Sequence, residues 1–495
     1  MYSIGFDNER YLRMQAEHIR KRIGQFGNKL YLEFGGKLFD DNHAARVLPG
    51  FNPCGKIQLL KTLAHMTEII MVINASDIEK NRIQGDHGIT YGDDLQRLID
   101  AFRAEGLFVS SVVIAIYAQQ EAADQFKRQL EQKGIKVYLH YHIPGYPTNP
   151  SFILSDEGFG KNEFVETTQP LVVVTAPGAS SGKMATCFSQ LYHEHKRGIQ
   201  AGYAKFETFP IWNLPLNHPI NLAYEAATTD VKDVNVIDPF HLEAYGTSAV
   251  NYNRDVEGFP VLNDMLMQIW GQSPYQSPTD MGVNMVGHCI SDDEVCRHAS
   301  QQEIIRRYYA ALCDLRRNDI DTGEIAMLEL IMTKAGTGVD NRRVIAAALA
   351  KEQASGTPSL AIELPNGEIV TGRTSELLGA ASAALLNALK VLGDLDDSVK
   401  IISRDMIVPI HRLKRDFLGS RNPRLHTDEV LVALSIGTVK NSDAEVIFQQ
   451  LPNLRNSEAH STVLLSQVDI NVFRKLGVNV TSEPRYESNN MYHKR

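Results

Sequence analysis

The sequence lacks the features that mark nucleic-acid-binding and membrane-spanning proteins. It has 50 Lys and Arg against 59 Asp and Glu, a formal net charge of −9, and no block of basic residues. A nucleic-acid binder carries a basic stripe, so we expect no nucleic-acid partner. The best apolar runs, 111–118 and 171–176, are strand-sized. They fall short of the roughly 18 residues that a membrane-spanning helix needs, so we expect no membrane partner either.

Cysteine is also scarce, and the sequence has no Cys-x-x-Cys pair. The five cysteines are Cys54, Cys187, Cys289, Cys296 and Cys313. A few scattered thiols, odd in number, are typical of a reducing compartment and disfavour a structural zinc site. The first fifteen residues carry four charged side chains and no apolar core, which disfavours a signal peptide. We therefore expect a cytoplasmic protein that holds no metal.

In its overall composition the chain is an ordinary globular protein. The chain has 495 residues, of which 43% are hydrophobic and 22% charged, and about 100 to 200 residues per domain predict about three domains. Helical and strand patterns alternate in the first third of the chain, with apolar runs at 30–34, 69–73, 109–117 and 136–141. This alternation predicts a parallel sheet with helices on both faces.

A second α/β unit begins at Gln169 with a predicted strand over 171–175. The pattern becomes helical from Ser291, and further on two strand-like runs flank a Pro-Asn-Gly turn at 365–367, which predicts a hairpin. The fold class is α/β, with two Rossmann-like or P-loop-like parallel-sheet units ahead of a helical insert. The predicted regions are an N-terminal α/β domain at 1–168, the second α/β unit at 169–290, the helical insert at 291–355 and a C-terminal mixed α/β subdomain at 356–495.

The strongest chemical signal is the run Leu-Val-Val-Val-Thr-Ala-Pro-Gly-Ala-Ser-Ser-Gly-Lys-Met-Ala-Thr at 171–186. A buried strand, a small-residue turn and a helix follow one another, which leaves backbone N–H groups and the positive end of the helix dipole facing one point. A lysine directly after the last glycine adds a positive charge, as in a P-loop. The pattern predicts that a phosphate is bound by Gly178, Ser180, Ser181, Gly182, Lys183 and Thr186.

This loop departs from the G-x-x-x-x-G-K-[ST] pattern at two positions. Pro177 stands where the first glycine would fall, and Met184 stands where the hydroxyl that holds Mg²⁺ would follow the lysine. A nucleotide is therefore one ligand that fits, and Mg²⁺ is disfavoured as a cofactor unless a nearby Ser or Thr supplies the hydroxyl. Two alternatives stay open: a simple phosphate bound without a metal, or a tight strand-to-helix turn in which Lys183 is solvated.

Residues 275–290 combine a helix start with polar groups at helical spacing. Ser277 followed by a proline suits an N-cap. A helix that continues from there places Asp280, Asn284 and His288 on one face, four residues apart. We predict Asp280 and His288 as catalytic groups and Asn284 as a substrate contact. The alternative is a capped helix with an ordinary polar face.

Two further groups of polar residues lie in or just after strands. Lys37, Asp40 and Arg46 follow the predicted strand at 30–34. Open parallel sheets bind ligands at this carboxyl edge, so we expect these three to contact the substrate. In the second α/β unit, four residues fall in or beside strands, as general acids and bases do in nucleotide enzymes. They are Lys205, Glu207, Asp238 and His241.

Six runs of sequence, in a fixed order, carry a resemblance to a known family. They are Ile4-Gly-Phe-Asp, Leu30-Tyr-Leu-Glu-Phe-Gly-Gly-Lys-Leu-Phe-Asp-Asp, Arg46-Val-Leu-Pro-Gly-Phe, the loop from Ala176-Pro-Gly to Gly-Lys-Met-Ala-Thr, Thr279-Asp-Met-Gly-Val-Asn and Glu458-Ala-His-Ser-Thr. Over essentially its whole length the chain resembles an uncharacterised bacterial protein family of unknown function. The resemblance implies a soluble cytosolic protein with an α/β amino-terminal part, a helical insert and a separate α/β subdomain. It assigns no catalytic residues.

Three hypotheses of function follow. The first is a protein that binds a phosphate-bearing small molecule or nucleotide in a cleft between domains, as a nucleotide-dependent transferase or ligase does. The second is a non-catalytic metabolite-binding or regulatory protein, which the missing hydroxyl after Lys183 favours. In both cases the partner is an anionic small molecule. The third is an oligomeric scaffold in which the helices of 291–355 form a homo-oligomer interface.

Overall fold

The computed structural model describes residues 3–84, 88–317, 322–420, 422–439 and 441–487. Within them the chain forms two compact units. The N-terminal unit comprises Ile4–Glu225 and Lys232–Ala299, and the C-terminal unit includes Ala226–Val231 and continues from Ser300. Each unit combines helices with a sheet.

The N-terminal unit is built on a six-stranded parallel sheet. The strands described in this unit are β1 (Leu30–Phe34), β2 (Thr67–Asn74), β3 (Ile83–Gln84), β4 (Ile89–Thr90), β5 (Val109–Tyr117), β6 (Lys136–Tyr141), β7 (Leu171–Thr175), β8 (Gly202–Phe206), β9 (Asn235–Ile237) and β10 (Val250–Tyr252). Six of them pair in the order β6-β5-β2-β7-β1-β8. Strand β7 lies between β2 and β1, and all of its residues are buried. Its continuous apolar run suits this place because helices cover both faces of a parallel sheet.

Helices connect and flank these strands. The helices that begin in this unit are α1 (Asn8–Gln25), α2 (Asn42–Val47), α3 (Gly55–Thr62), α4 (Ala75–Glu79), α5 (Tyr91–Ala104), α6 (Glu121–Gln132), α7 (Pro150–Ile153), α8 (Lys183–Lys196), α9 (Pro219–Ala227), α10 (Pro239–Tyr245), α11 (Asn253–Trp270), α12 (Pro278–Met281) and α13 (Asp293–Arg317). Helix α1 begins where the Asp7 carboxylate accepts a hydrogen bond from Arg10 N at 2.9 Å. In the described part of the chain, no helix is long and apolar enough to span a bilayer.

The structure confirms the predicted α/β class. Strands β1, β5, β6 and β7 have the predicted bounds, and β2 extends beyond its predicted run at both ends. The domain arrangement differs from the prediction, because strands assigned to two separate units alternate in one sheet. Apolar runs indicate where strands occur, but β7 inserts between β1 and β2 through pairing that no local pattern encodes. Residue 168 therefore does not divide two sheets.

The C-terminal unit contains a four-stranded mixed sheet in the order β12-β11-β13-β14. Its strands are β11 (Ser359–Glu363), β12 (Ile369–Arg373), β13 (Glu458–Ser461) and β14 (Asn479–Ser482). The predicted hairpin is present, since β11 and β12 pair antiparallel, and β13 pairs antiparallel with β11 and parallel with β14. The helices that begin in this unit are α14 (Thr322–Lys334), α15 (Arg343–Ser355), α16 (Ala380–Leu392), α17 (Arg404–Arg412), α18 (Thr427–Gly437), α19 (Ser442–Phe448) and α20 (Gln467–Leu476).

Helix α15, the last helix of the predicted insert, packs against this sheet. Its buried residues Val344 and Ala348 pack with Ala361 of β11. On β12, a Cβ at Gly372 would lie 2.1 Å from the backbone nitrogen of Ala384 in α16. Only glycine permits so close an approach of a strand to a helix. The region predicted as an insert therefore contributes directly to the core of the C-terminal unit.

Candidate functional site

The glycine-rich loop lies at a topological switch point of the six-stranded sheet. From β2 the chain crosses to β5, whereas from the neighbouring strand β7 it crosses to β8 in the opposite direction. Crevices of this kind, at the carboxyl ends of the strands, are where open α/β sheets bind ligands. The loop leaves β7 after Thr175 and enters α8 at Lys183. On the other side of the crevice, Asn74 at the end of β2 donates to the Ser180 carbonyl at 3.5 Å.

Two loop positions require glycine. A Cβ on Gly178 would come within 2.3 Å of the Tyr91 ring, and a Cβ on Gly182 within 2.8 Å of the Ala115 side chain. Gly182 caps α8 with φ of 96°, in the left-handed region that favours glycine. Ser180 also has a positive φ, 54°, which is unfavourable for a residue with a side chain. Such backbone strain is concentrated at ligand sites.

The loop presents a row of unpaired hydrogen-bond donors. Within the described residues, the backbone N–H groups from Gly178 to Ala185 have no hydrogen-bond partner. The hydroxyls of Thr175, Ser181 and Thr186 are buried and also lack partners in the described part of the chain. Buried polar groups are almost always paired, so three such hydroxyls along one short segment are an exception that needs a physical cause.

Lys183 adds a positive charge to the same place. Its side chain is half-buried and forms no hydrogen bond or ion pair with the residues that the structure describes. The next residue, Met184, offers no oxygen for a metal. The loop thus offers N–H groups, hydroxyls and an ammonium, together with the positive end of the α8 dipole. This donor set suits an anion with several oxygens.

The residues predicted after β1 lie at the same edge of the sheet, because β1 is the neighbour of β7. Lys37 and Asp40 are exposed in the segment that follows β1, and Arg46 lies in the last turn of α2. Between them, Asp41 pairs with the buried ammonium of Lys56 at 2.9 Å. Burial opposes ionisation of Asp41, but Lys56 outweighs it and holds the pKa of that carboxyl below its usual range.

A separate cavity of about 560 Å³ opens beside β8, the edge strand of the sheet. Helix α1, β8 with the residues after it, and the segment 274–285 line its walls. That segment continues the sheet edge, because Gly282 bridges to Lys205 and Val283 N donates to the Lys205 carbonyl at 3.0 Å. As far as the described residues define it, the lining includes no residue of the glycine-rich loop. The lining likewise excludes Lys37, Asp40 and Arg46.

Three charged side chains form the polar centre of this cavity. The Lys205 ammonium contacts the Asp255 carboxylate at 2.5 Å and the Glu207 carboxylate at 3.2 Å. Burial alone lowers the pKa of Lys205, but the two carboxylates outweigh it and raise that pKa. Burial raises the pKa of Glu207 to about 7, although Lys205 opposes the shift. Glu207 therefore changes protonation state near neutral pH, which suits a group that transfers protons.

Helix α1 contributes a guanidinium to the cavity wall. Arg22 donates to the carbonyls of Asp280 and Gly282 at 2.9 and 3.3 Å, and it lies over the Tyr275 ring with 5.4 Å to the centroid. Burial, together with the charge of Arg22, lowers the pKa of His18 to about 4. The His18 ring is thus neutral at pH 7, and Arg22 is the charged group on this side of the cavity.

The predicted helix with Asp280, Asn284 and His288 on one face is wrong. Helix α12 ends at Met281, and Gly282 leaves it with φ of −74° and ψ of 152°. This extended conformation lets the chain pair with β8, which a continuing helix would prevent. His288 is exposed in a separate short 3₁₀ turn and does not belong to the described lining of the cavity.

Asp280 and Asn284 do line the cavity, and their polar groups hold its wall in place. Asp280 accepts hydrogen bonds from the Tyr245 hydroxyl at 2.9 Å and from Ser277 N at 3.1 Å. The Asn284 amide donates to the Thr208 carbonyl at 3.0 Å.

Lys205, Glu207 and His241, predicted from their position near strands, also line the cavity. Asp238 is fully buried behind the wall, where it accepts from Thr279 N and Oγ1.

Comparisons with known proteins extend along the whole chain. A family model described as a domain of unknown function, DUF1846, N-terminal, matches residues 4–336, and its C-terminal counterpart matches 340–492. A UPF0371 protein of Corynebacterium urealyticum is 55% identical over 495 residues, which is 100% of both chains. The protein belongs to the UPF0371 family. A UPF0371 protein of Streptococcus pneumoniae is 55% identical over 489 residues, 99% of each chain, and the predicted full-length resemblance is confirmed.

Sequence reasoning missed two of the charged groups in the cavity of this UPF0371 protein. Arg22 follows His18 by four residues on α1, so their common face is visible in the sequence. That face meets the segment around Asp280, which lies 258 residues away along the chain. Asp255 lies in the first turn of α11, a usual place for an acidic residue. No local signal connects either residue to β8.

Proposed function

We propose that this UPF0371 protein binds the phosphate group of a small molecule in the loop from Ala176 to Thr186. The observation that carries the proposal is the pair of buried, unpaired hydroxyls of Ser181 and Thr186 at the start of α8. Leaving a buried hydroxyl without a partner costs about 1 to 3 kcal/mol. Phosphate oxygens bound in the loop remove this cost, since they accept hydrogen bonds from both hydroxyls.

The surrounding charges support an anion over a neutral ligand. The unpaired N–H groups of the loop and the Lys183 ammonium are all donors, and the α8 dipole adds positive potential. The position at a switch point supports a phosphate that is part of a larger molecule, such as a nucleotide. Met184 supports binding by these donors alone, without Mg²⁺ bound through the residue after Lys183.

We propose, more specifically, that the protein catalyses a transferase or ligase reaction on the molecule that it binds. Such a reaction requires a second reactant close to the phosphate-bearing one, together with a group that moves protons. The carboxyl ends of β7 and β8 are separated by one strand, β1, and therefore by roughly 10 Å. Glu207, just past β8, has a pKa of about 7. These two features support an enzyme over a binding protein.

We expect Lys183→Met to weaken binding of phosphate-bearing ligands about tenfold to a hundredfold, because a charge-assisted contact is lost. The probes are inorganic phosphate, ATP, GTP and NAD⁺, each titrated calorimetrically into the full-length protein. Lys196→Met is the matched control, since Lys196 lies at the opposite end of α8 with an exposed side chain. The proposal is wrong if none of the four probes binds the wild type. It is equally wrong if the two variants bind the probes alike.

We expect Thr186→Val to have opposite effects on the stability of the protein and on its binding of phosphate. Removing a buried, unpaired hydroxyl should raise the free energy of unfolding by about 1 kcal/mol in the ligand-free protein and weaken phosphate binding. Both tryptophans, Trp212 and Trp270, lie in the N-terminal unit, so urea unfolding followed by tryptophan fluorescence reports on this unit. Thr67→Val is the control, because the buried Thr67 hydroxyl donates to the Leu63 carbonyl at 2.7 Å. A loss of stability in both variants would show that the Thr186 hydroxyl is already satisfied.

A further inference from the structure

The cavity beside β8 carries a positive charge without a carboxylate partner. Arg22 donates to the main-chain carbonyls of Asp280 and Gly282. In the part of the chain that the structure describes, no carboxylate forms an ion pair with it. A guanidinium has five N–H donors in a planar fork that matches the two oxygens of a carboxylate. Arg22 therefore has donors left for an anionic group in the cavity.

Close by, the same wall carries a surplus of negative charge. One ammonium, that of Lys205, faces the two carboxylates of Glu207 and Asp255. Lys205 forms a β-bridge with Gly282, and the Gly282 carbonyl accepts a hydrogen bond from Arg22. The backbone therefore connects this cluster to the group that Arg22 contacts. When both carboxylates are ionised, the cluster is one negative charge in excess and suits an added cation.

Aromatic rings also line the cavity. Trp212 is fixed by a hydrogen bond from its indole nitrogen to the Asn284 carbonyl at 3.0 Å, and Tyr245 by its bond to Asp280. Their rings offer apolar area, and their faces attract cations. The volume of about 560 Å³ lies within the range usual for small-molecule sites.

We propose that this cavity binds a small zwitterion of the amino-acid class. Its carboxylate contacts Arg22, and its ammonium contacts Glu207 and Asp255. The site is distinct from the glycine-rich loop, so it does not depend on the phosphate proposal. If both hold, the protein brings a phosphate-bearing molecule and an amino compound to the same edge of one sheet.

The experiment titrates the full-length protein with the twenty standard amino acids and with glycyl and lysyl dipeptides. For each probe that binds, the N-acetyl and C-amide derivatives are the matched ligands. We expect each derivative to bind about tenfold more weakly or worse, because it removes one of the two charges. The proposal fails if no zwitterion binds the wild type. It also fails if the derivatives bind as well as the parent compound.

Variants assign the two ends of the ligand. Arg22→Gln should weaken binding about tenfold to a hundredfold and abolish the difference between a probe and its C-amide. Arg20→Gln, on the exposed face of the same helix, should leave binding unchanged, and equal affinities in the two variants would contradict the proposal. If Arg22→Gln does not fold, as judged by circular dichroism, the proposal is tested instead with Glu207→Gln and with the ligand derivatives. Ser181→Ala tests the loop and should not affect this site.

The pH dependence gives an independent readout. An ammonium ligand favours ionised Glu207, so affinity should rise as pH increases through about 7 in the wild type and stay flat in Glu207→Gln. The groups that act on the Glu207 carboxyl are Lys205 on the preceding strand β8, Glu33 on β1, Asp255 on α11, Tyr224 on α9 and Tyr252 on β10. A rise that persists in Glu207→Gln would assign the ammonium to another group and overturn the proposal.

Discussion

We expect Arg342→Met to lower the free energy of unfolding of the C-terminal unit by about 3 to 5 kcal/mol, the usual cost of removing one member of a buried ion pair. Arg342 is 1% exposed, and its five hydrogen bonds match its five N–H groups. The acceptors are Glu458 at 2.5 Å, Gln302 at 3.3 Å, Thr481 at 3.1 Å and the carbonyls of Ala459 and Asn479 at 2.9 and 2.8 Å. Methionine fills similar space but satisfies none of them.

The loss is large because the half-buried Glu458 carboxylate loses one of its two cations. Burial opposes its ionisation, but Arg306 and Arg342 together hold the pKa of Glu458 below its usual range. In the variant, Arg306 at 2.7 Å is the remaining cation next to that carboxylate. The carbonyls of Ala459 on β13 and Asn479 on β14 each lose a donor as well, although the Thr481 hydroxyl still donates to Ala459. The carboxylate then keeps one cation in a position where water screens its charge only in part.

The neighbouring residue supplies the control. Arg343 pairs with Glu363 at 2.8 Å, but its side chain is 62% exposed, so Arg343→Met should cost less than about 1 kcal/mol. Hydrogen exchange of peptides covering β13 and β14 measures the opening of this sheet in both variants. Equal protection in Arg342→Met and Arg343→Met would contradict a structural role for the buried guanidinium.

The strands and the glycine-rich loop were predictable because their signals are local. Residues 171–174 form an unbroken apolar run that ends at Thr175, and the loop after it is marked by small residues and by glycines at Gly178 and Gly182. A short-range pattern of this kind can be recognised without knowing how the rest of the chain folds. The order of the strands was not predictable, since β7 pairs with β1 and β2 across many intervening residues.

The cavity was predicted only in part, for a related reason. Their position in or beside a strand predicts Lys205 and Glu207 as functional residues. Their partner Asp255 lies on a helix about 50 residues further along the chain. Asp280 lies on α12, which starts where predicted but ends at Met281. Its capping box predicts where α12 begins. Gly282 is a local signal for the end of a helix, but nothing local predicts that the chain pairs with β8 there.

We expect Glu207→Gln to stabilise the N-terminal unit relative to wild type by about 3 kcal/mol near pH 8 and to change its stability little near pH 4.5. The folded-state pKa of Glu207 is about 7, above its ordinary value of 4.5. The folded protein therefore binds more protons than the unfolded chain between these values. The contribution of Glu207 to stability is therefore fully present below about pH 4.5 and is lost as pH rises through about 7. Glutamine keeps the shape of the protonated carboxyl and does not titrate.

The measurement is urea unfolding at both pH values, followed by the fluorescence of Trp212 and Trp270. Glu105→Gln is the control, because the ion pair of Glu105 with Lys61 is exposed and should contribute less than about 1 kcal/mol at either pH. If the difference between Glu207→Gln and wild type is the same at both pH values, folding does not raise the pKa of Glu207, and the carboxylate is ionised near neutral pH. If the difference grows with pH, a zwitterion that binds the wild type should reduce it near pH 8, because its ammonium compensates the ionised carboxylate.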